Sequence, residues 1–216
     1  GLRVHNGHIT DWDVGVSGLG MFGAVFENLR LTFNDVYGLD AGNQARISNC
    51  TALVCGEGFY LRDGGSISDS TAAFCGRGFD PGVAAVVSNC AARDCGDGFF
   101  LNVNCVATSC VAYGCFNGFV GNFDNTLEGC SAGLCTDGFR FTTNNRLYRC
   151  SVTSASGAPI IVGDGSTVES CSVGSSNLTG ITIGSNSAVR GNHISDCGGS
   201  GIYVTGSHNM VIDNTV

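Results

Sequence analysis

Ile47-Ser-Asn-Cys50-Thr-Ala-Leu-Val-Cys55-Gly-Glu-Gly58-Phe59-Tyr-Leu61 is the stretch that decides the fold, because the chain writes it several times over. Ile67 to Phe79 repeats it, with Ser70 in the place of the first Cys. Val87-Ser-Asn-Cys90 then leads to Cys95-Gly-Asp-Gly98-Phe99-Phe-Leu101. The pattern returns at Cys110, Cys115 and Gly118-Phe119, and again at Cys130, Cys135 and Gly138-Phe139. Downstream the letters drift while the register holds, with Ile160, Ile181 and Ile202 in the Phe place; upstream, Leu39 and Val16 take it. Ten equivalent positions (16, 39, 59, 79, 99, 119, 139, 160, 181 and 202) therefore cover nearly all 216 residues.

A repeat of this regularity is the mark of stacked units that cannot bury their apolar faces alone. The segments between turn residues are short and alternate in and out, as in Gly58-Phe59-Tyr60-Leu61-Arg62, which is strand periodicity. Helical repeats need longer 3.6-period stretches and longer units, and the leucine-rich frame is missing. The reading is all-β: one right-handed parallel β-helix over residues 1–216, with about ten coils of 20–23 residues. Neither end shows a capping helix, so a fragment or an open-ended solenoid capable of end-to-end self-association is expected.

Composition narrows the function classes. Thirty-four Gly against two Pro, without a collagen triplet, and 43% hydrophobic residues exclude both collagen and disorder. No apolar stretch approaches a membrane span, and no charged-then-apolar leader opens the chain, which reads as a processed start. The net charge is −8, and all ten cations are Arg. Such a field opposes nucleic acid, so no nucleic-acid partner is expected.

Thirteen Cys raise the question of disulfides or metal. Cys50, Cys90, Cys110, Cys130, Cys150 and Cys171 share one place in the coil; Cys55, Cys75, Cys95, Cys115 and Cys135 share another. In-register stacking sets like residues about 4.8 Å apart with parallel side chains, whereas a disulfide wants converging Cβ atoms about 3.8 Å apart. A bridge within a coil, such as Cys50 to Cys55, is the rival. Ser70 would strand Cys75, however, and Ala155 would strand Cys150, so partners are lost singly. Free, buried thiol ladders are expected, acting as small hydrophobes, and no metal site is read from them. Phe59, Phe79, Phe99, Phe119 and Phe139 form an internal aromatic stack on the same logic. Asn28, Asn49 and Asn89, with Asp69 and Ser109, read as a turn ladder satisfying backbone groups.

If Phe59 and Leu61 point inward, Tyr60 and Arg62 point outward. The same rule exposes Asp80, Phe100, Asn102, Val120, Asn122, Arg140 and Thr142 as one stripe. Aromatics flanked by hydrogen-bonding groups suit sugar rings, so Tyr60, Arg62, Phe100, Asn102, Asn122 and Arg140 are the candidate binding residues. Asp80 is the stripe's one candidate acid or base. Beside it, Glu57, Arg77, Asp97, Asn117 and Asp137 occupy a column in which Arg77 lies between acids. Asp97, Asn117 and Asp137 would supply some of the oxygens a calcium ion needs; no other cofactor is read. His5, His8, His193 and His208 lie near the ends, out of reach of the stripe.

Runs such as Gly199-Ser-Gly201-Ile202-Tyr-Val204-Thr-Gly-Ser-His-Asn209-Met-Val-Ile212-Asp-Asn214 resemble the right-handed β-helix repeat proteins of the pectate-lyase-like superfamily. That resemblance covers nearly the whole chain and is architectural. It implies a bacterial-type secreted protein, extracellular or on the cell surface, in a group of polysaccharide lyases, hydrolases, epimerases, phage tailspikes and surface proteins. Gly78-Phe79-Asp80-Pro81 is similar to the start of the Asp-Pro-His-Asp motif of mannuronan C5-epimerases, but Gly82 and Val83 follow where the His and second acid belong. The competing reading of the same letters is a turn-forming Asp-Pro-Gly. Two functions stand from different classes: a polysaccharide-interacting module that binds or modifies its glycan along the stripe, and a structural solenoid serving as spacer, display segment or filament subunit.

Overall fold

The computed structural model describes residues 1–216 and contains strands and turns but no helix. Each complete coil carries three short strands, for example Ser66–Ser68, Thr71–Ala73 and Arg77–Pro81. The Gly-Phe strands of successive coils form a ten-stranded parallel sheet; the remaining strands form a nineteen-stranded parallel sheet that bends around the other two faces. Val16 pairs with Leu39, Leu39 with Phe59, and so on through Phe139, Ile160, Ile181 and Ile202, which is the register read from the repeat.

The core is a bundle of like-residue columns. Phe59 to Phe139 are fully buried, with ring centroids 5.2, 4.8, 4.6 and 4.8 Å apart in sequence. Against the glycines that precede them stands a buried column of small residues, Ala52, Ala72, Ala92, Ala112 and Ala132. The glycine before each Phe follows from the same closeness. A Cβ on Gly98 would stand 2.6 Å from the Gly118 carbonyl oxygen and 3.0 Å from Ala112 Cβ.

All thirteen cysteines are free, and all but Cys197 are buried. They do more than fill space. The Cys50 thiol donates to the Ser48 carbonyl at 3.2 Å, and Cys90 donates to Ser88 and Cys95 to Arg93 at the same distance. Where the column changes to Ser70, its hydroxyl makes the equivalent bond to Ser68 at 2.7 Å. Cysteine suits this corner because it is compact, apolar and still a weak donor. Burial pushes the Cys50 and Cys105 thiols above their ordinary range.

The expected turn ladder needs correcting. Asn28, Asn49, Asp69, Asn89 and Ser109 are exposed and share a left-handed backbone with φ of 51–53°. Asn and Asp tolerate that conformation, and where their side chains bond, they bond to the residue below them in the preceding coil, as Asn28 does to Asn6 at 3.1 Å and Asn89 to Asp69 at 3.3 Å. The amides that satisfy buried backbone lie in another column. Asn125 Oδ1 accepts from the Cys105 N–H, Asn145 Oδ1 from Asn125, Ser166 Oγ from Asn145 and Ser187 Oγ from Ser166. Asp80-Pro81 is likewise strand and not turn, with Pro81 buried in the Leu61 column. Because Pro81 has no N–H to donate, pairing with the next strand stops at Phe79 and Phe99.

Candidate functional site

The outer face of the ten-stranded sheet carries three columns, and the repeat dictates all of them. The first runs Tyr37, Glu57, Arg77, Asp97, Asn117 and Asp137. The second runs Asp40, Tyr60, Asp80, Phe100, Val120 and Arg140. Arg62, Asn102 and Asn122 form the third, one residue beyond the inward Leu61, Leu101 and Gly121. The six candidate binding residues and Asp80 therefore share one face. Arg140 lies at its far end, exposed and paired with Asp137 at 3.1 Å.

Two expectations about exposure fail here. Asp80 points outward but is only 3% exposed. Its Oδ2 accepts from Arg77 Nη1 at 2.7 Å, its Oδ1 accepts from Asn102 Nδ2 at 3.3 Å, and Tyr60 and Phe100 flank it in its column. Phe100 is half-buried, because the Arg77 guanidinium covers its ring at 4.2 Å from the centroid. Gly78 and Phe79 both turn inward, so Arg77 and Asp80, three apart in sequence, meet on the outer face.

Arg77 is thus caged. Asp80 holds it at 2.7 Å, Glu57 approaches at 3.6 Å and Asp97 at 3.8 Å, with Phe100 against the guanidinium. Burial pushes the Asp80 carboxyl up, and Arg77 pulls it back. Burial and then the charge of Asp80 raise Glu57. Asp40 is also raised by burial, against the pull of Arg62. Further along the first column, Asp97 accepts from Asn117 Nδ2 at 2.7 Å and Asp137 accepts from the Ala158 N–H at 2.9 Å, so these oxygens are turned toward protein donors.

Tyr60 forms a platform with Tyr37, ring centroids 5.2 Å apart, and Arg62 lies over the Tyr60 ring at 5.2 Å. Beside it opens a cavity of about 380 Å³ lined by Asn43, Tyr60, Arg62, Gly82 and Asn102 among others. Asn122 Nδ2 and Oδ1 make no side-chain bond within the chain, and its carbonyl accepts from Asn145 at 2.9 Å. Tyr37 and Asp40 are the members of this face that the sequence reading did not name. The signal for Asp40 was present: Leu39 sits in the Phe column, so the next residue had to stand beside Tyr60.

Six buried side-chain polar atoms in the chain have no hydrogen-bond partner. Four of them, Asp40 Oδ1, Glu57 Oε2, Arg62 Nε and Asn117 Oδ1, are on this face.

Residues 137–216 match the family described as right handed beta helix region. No curated protein matches the sequence. Among solved structures, the catalytic domain of a GH87 alpha-1,3-glucanase in complex with nigerose is similar at a TM-score of 0.54 and 14% identity, over 98% of this chain and 49% of that one. A variant of such a catalytic domain in complex with tetrasaccharides gives a TM-score of 0.55 at 12% identity, with the same coverage. This chain spans about half the length of those structures, and identity at this level speaks for the fold alone. By register, by core and by its likeness to these structures, the chain folds as a parallel β-helix, and its residues 137–216 match the right-handed β-helix family.

Proposed function

We propose that this chain is a polysaccharide-binding β-helix module whose glycan lies across the coils on the outer face of the ten-stranded sheet. The observation that carries this reading is the gathering of unpartnered buried polar atoms on that face, beside the rings of Tyr37, Tyr60 and Phe100. Buried polar groups without partners are rare and ask for an explanation, and a polyhydroxyl ligand supplies both donors and acceptors. Aromatic rings accept the apolar faces of pyranoses. The five coils from Tyr60 to Arg140 extend roughly 20 Å at the strand spacing, room for several sugar units. The fold is also the one on which the glucanase domains above are seen with nigerose and tetrasaccharides.

Asp80 enters this reading as a positioning residue. It anchors Arg77, which in turn supports Phe100, and it is too enclosed to meet a glycosidic bond directly. A surface or extracellular setting is part of the proposal. Parallel free thiols would tolerate it, because ladder geometry disfavours their pairing.

Affinity electrophoresis through gels containing single polysaccharides tests the reading. The wild type should be retarded by at least one polysaccharide, and Tyr60→Ala, Phe100→Ala and Arg140→Ala should each run faster while keeping the wild-type circular dichroism. Wild-type mobility for all three would make the face a merely solvated sheet, and the structural-solenoid reading would replace this one.

A further inference from the structure

Asp40 Oδ1 and Arg62 Nε face each other across 3.9 Å, too far for a hydrogen bond. Both atoms are buried, and neither has a partner within the chain. Asp40 is only 7% exposed. An ionised carboxylate oxygen can only accept, and a guanidinium N–H can only donate. A group that satisfies both must therefore donate to Asp40 and accept from Arg62 at once. A hydroxyl, of water or of a sugar, does this once the Arg62 side chain moves aside. A second carboxylate has no hydrogen for Asp40 and repels it. An ammonium has no lone pair for Arg62 and repels the guanidinium.

Resting on the polysaccharide reading and deepening it, we infer that the Asp40–Arg62 pair is a sugar-hydroxyl subsite on an acidic face that selects uncharged sugars over uronic acids. The surroundings agree. Tyr60 is the register partner of Asp40 and lies under the Arg62 guanidinium, so a pyranose stacked on Tyr60 brings its rim hydroxyls to the pair. The adjoining cavity of about 380 Å³ falls in the range of small-ligand sites. The Arg62 side chain is 40% exposed and weakly held, so it can swing to admit the hydroxyl. Gly82 packs too close to the Arg62 backbone for any Cβ, which keeps this entrance low.

The wider charge pattern points the same way. Arg77 and Arg140 already hold Asp80 and Asp137, so neither is free for a uronate. Asp40, Glu57, Asp80, Asp97 and Asp137 outnumber the three arginines on this face. A polyuronate, the substrate type that a pectate-lyase-like resemblance suggests first, meets a field of its own sign here.

Titration calorimetry at fixed ionic strength decides it, using neutral gluco-, manno- and galacto-oligosaccharides against oligogalacturonate of equal length. The wild type should bind at least one neutral series about tenfold or more tightly than oligogalacturonate. Asp40→Asn, whose amide can donate to a carboxylate, should narrow the gap to oligogalacturonate. Phe100→Ala should weaken every series and leave the ratio unchanged. Equal or tighter binding of oligogalacturonate by the wild type, or an unchanged ratio in Asp40→Asn, would overturn the hydroxyl subsite and leave the polysaccharide reading standing. Absence of binding to every series would overturn both.

Discussion

Phe99→Ala removes the middle ring of the stack, and the structure sets how much that should cost. Phe99 is fully buried and lies between Phe79 and Phe119, with centroids 4.8 and 4.6 Å away and ring planes tilted by 6° and 5°. Burying and then deleting a Phe in a core costs about 3–5 kcal/mol through lost transfer energy and the cavity left behind. Each aromatic pair adds about 0.5–1.5 kcal/mol beyond area burial. With two pairs broken, the loss should lie near the upper end, about 5 kcal/mol. Phe59 is the internal control. It is equally buried, but its partners are Phe79, at 5.2 Å and 19°, and the aliphatic Leu39. Phe59→Ala should therefore cost about 1 kcal/mol less, one aromatic pair fewer. Tyr60→Ala, half-buried on the outer face, should cost only about 1 kcal/mol. Urea unfolding followed by both fluorescence and circular dichroism provides the assay; the two probes must coincide, because repeat arrays can lose cooperativity. A Phe99→Ala penalty no larger than that of Tyr60→Ala would mean that the in–out register is reversed.

Two further outcomes follow from the carboxylates and the thiols. Burial raises the Asp40 carboxyl above its ordinary value of 3.8, so the folded chain holds that proton more tightly than the unfolded one. The destabilisation is absent well below pH 3.8 and grows as pH rises through the folded-state value. Asp40→Asn should thus raise the melting temperature at neutral pH and leave it unchanged near pH 3; equal effects at both pH values would remove burial as the cause. Thiol titration should find nearly all thirteen cysteines free after denaturation and few reactive before it, whereas four or five free thiols would restore disulfides.

The repeat made most of the fold legible, because a coil that stacks on its neighbours must place like residues in columns. Phe59 through Phe139 and the two Cys columns could be read from spacing alone. What escaped depends on geometry within a coil. Asp80 does stand on the outer face, but its burial comes from Arg77, three residues away and within 2.7 Å because Gly78 and Phe79 both turn inward. Asp40 is harder to read because Leu39 replaces Phe in its coil and the coil from Val16 to Leu39 is longer than the rest, which weakens the repeat there. The donor role of the cysteines was invisible to a reading that took them as small hydrophobes, although the replacement of one by Ser70 carried the hint. Likewise, the Asn125–Asn145 ladder looks like ordinary loop sequence until the backbone N–H groups it serves are placed.

The most direct test is the structure of the chain with a neutral oligosaccharide bound. The account predicts a sugar ring stacked on Tyr60, with one hydroxyl within hydrogen-bond distance of both Asp40 Oδ1 and Arg62 Nε. A sugar bound elsewhere, with Asp40 and Arg62 untouched, would contradict it.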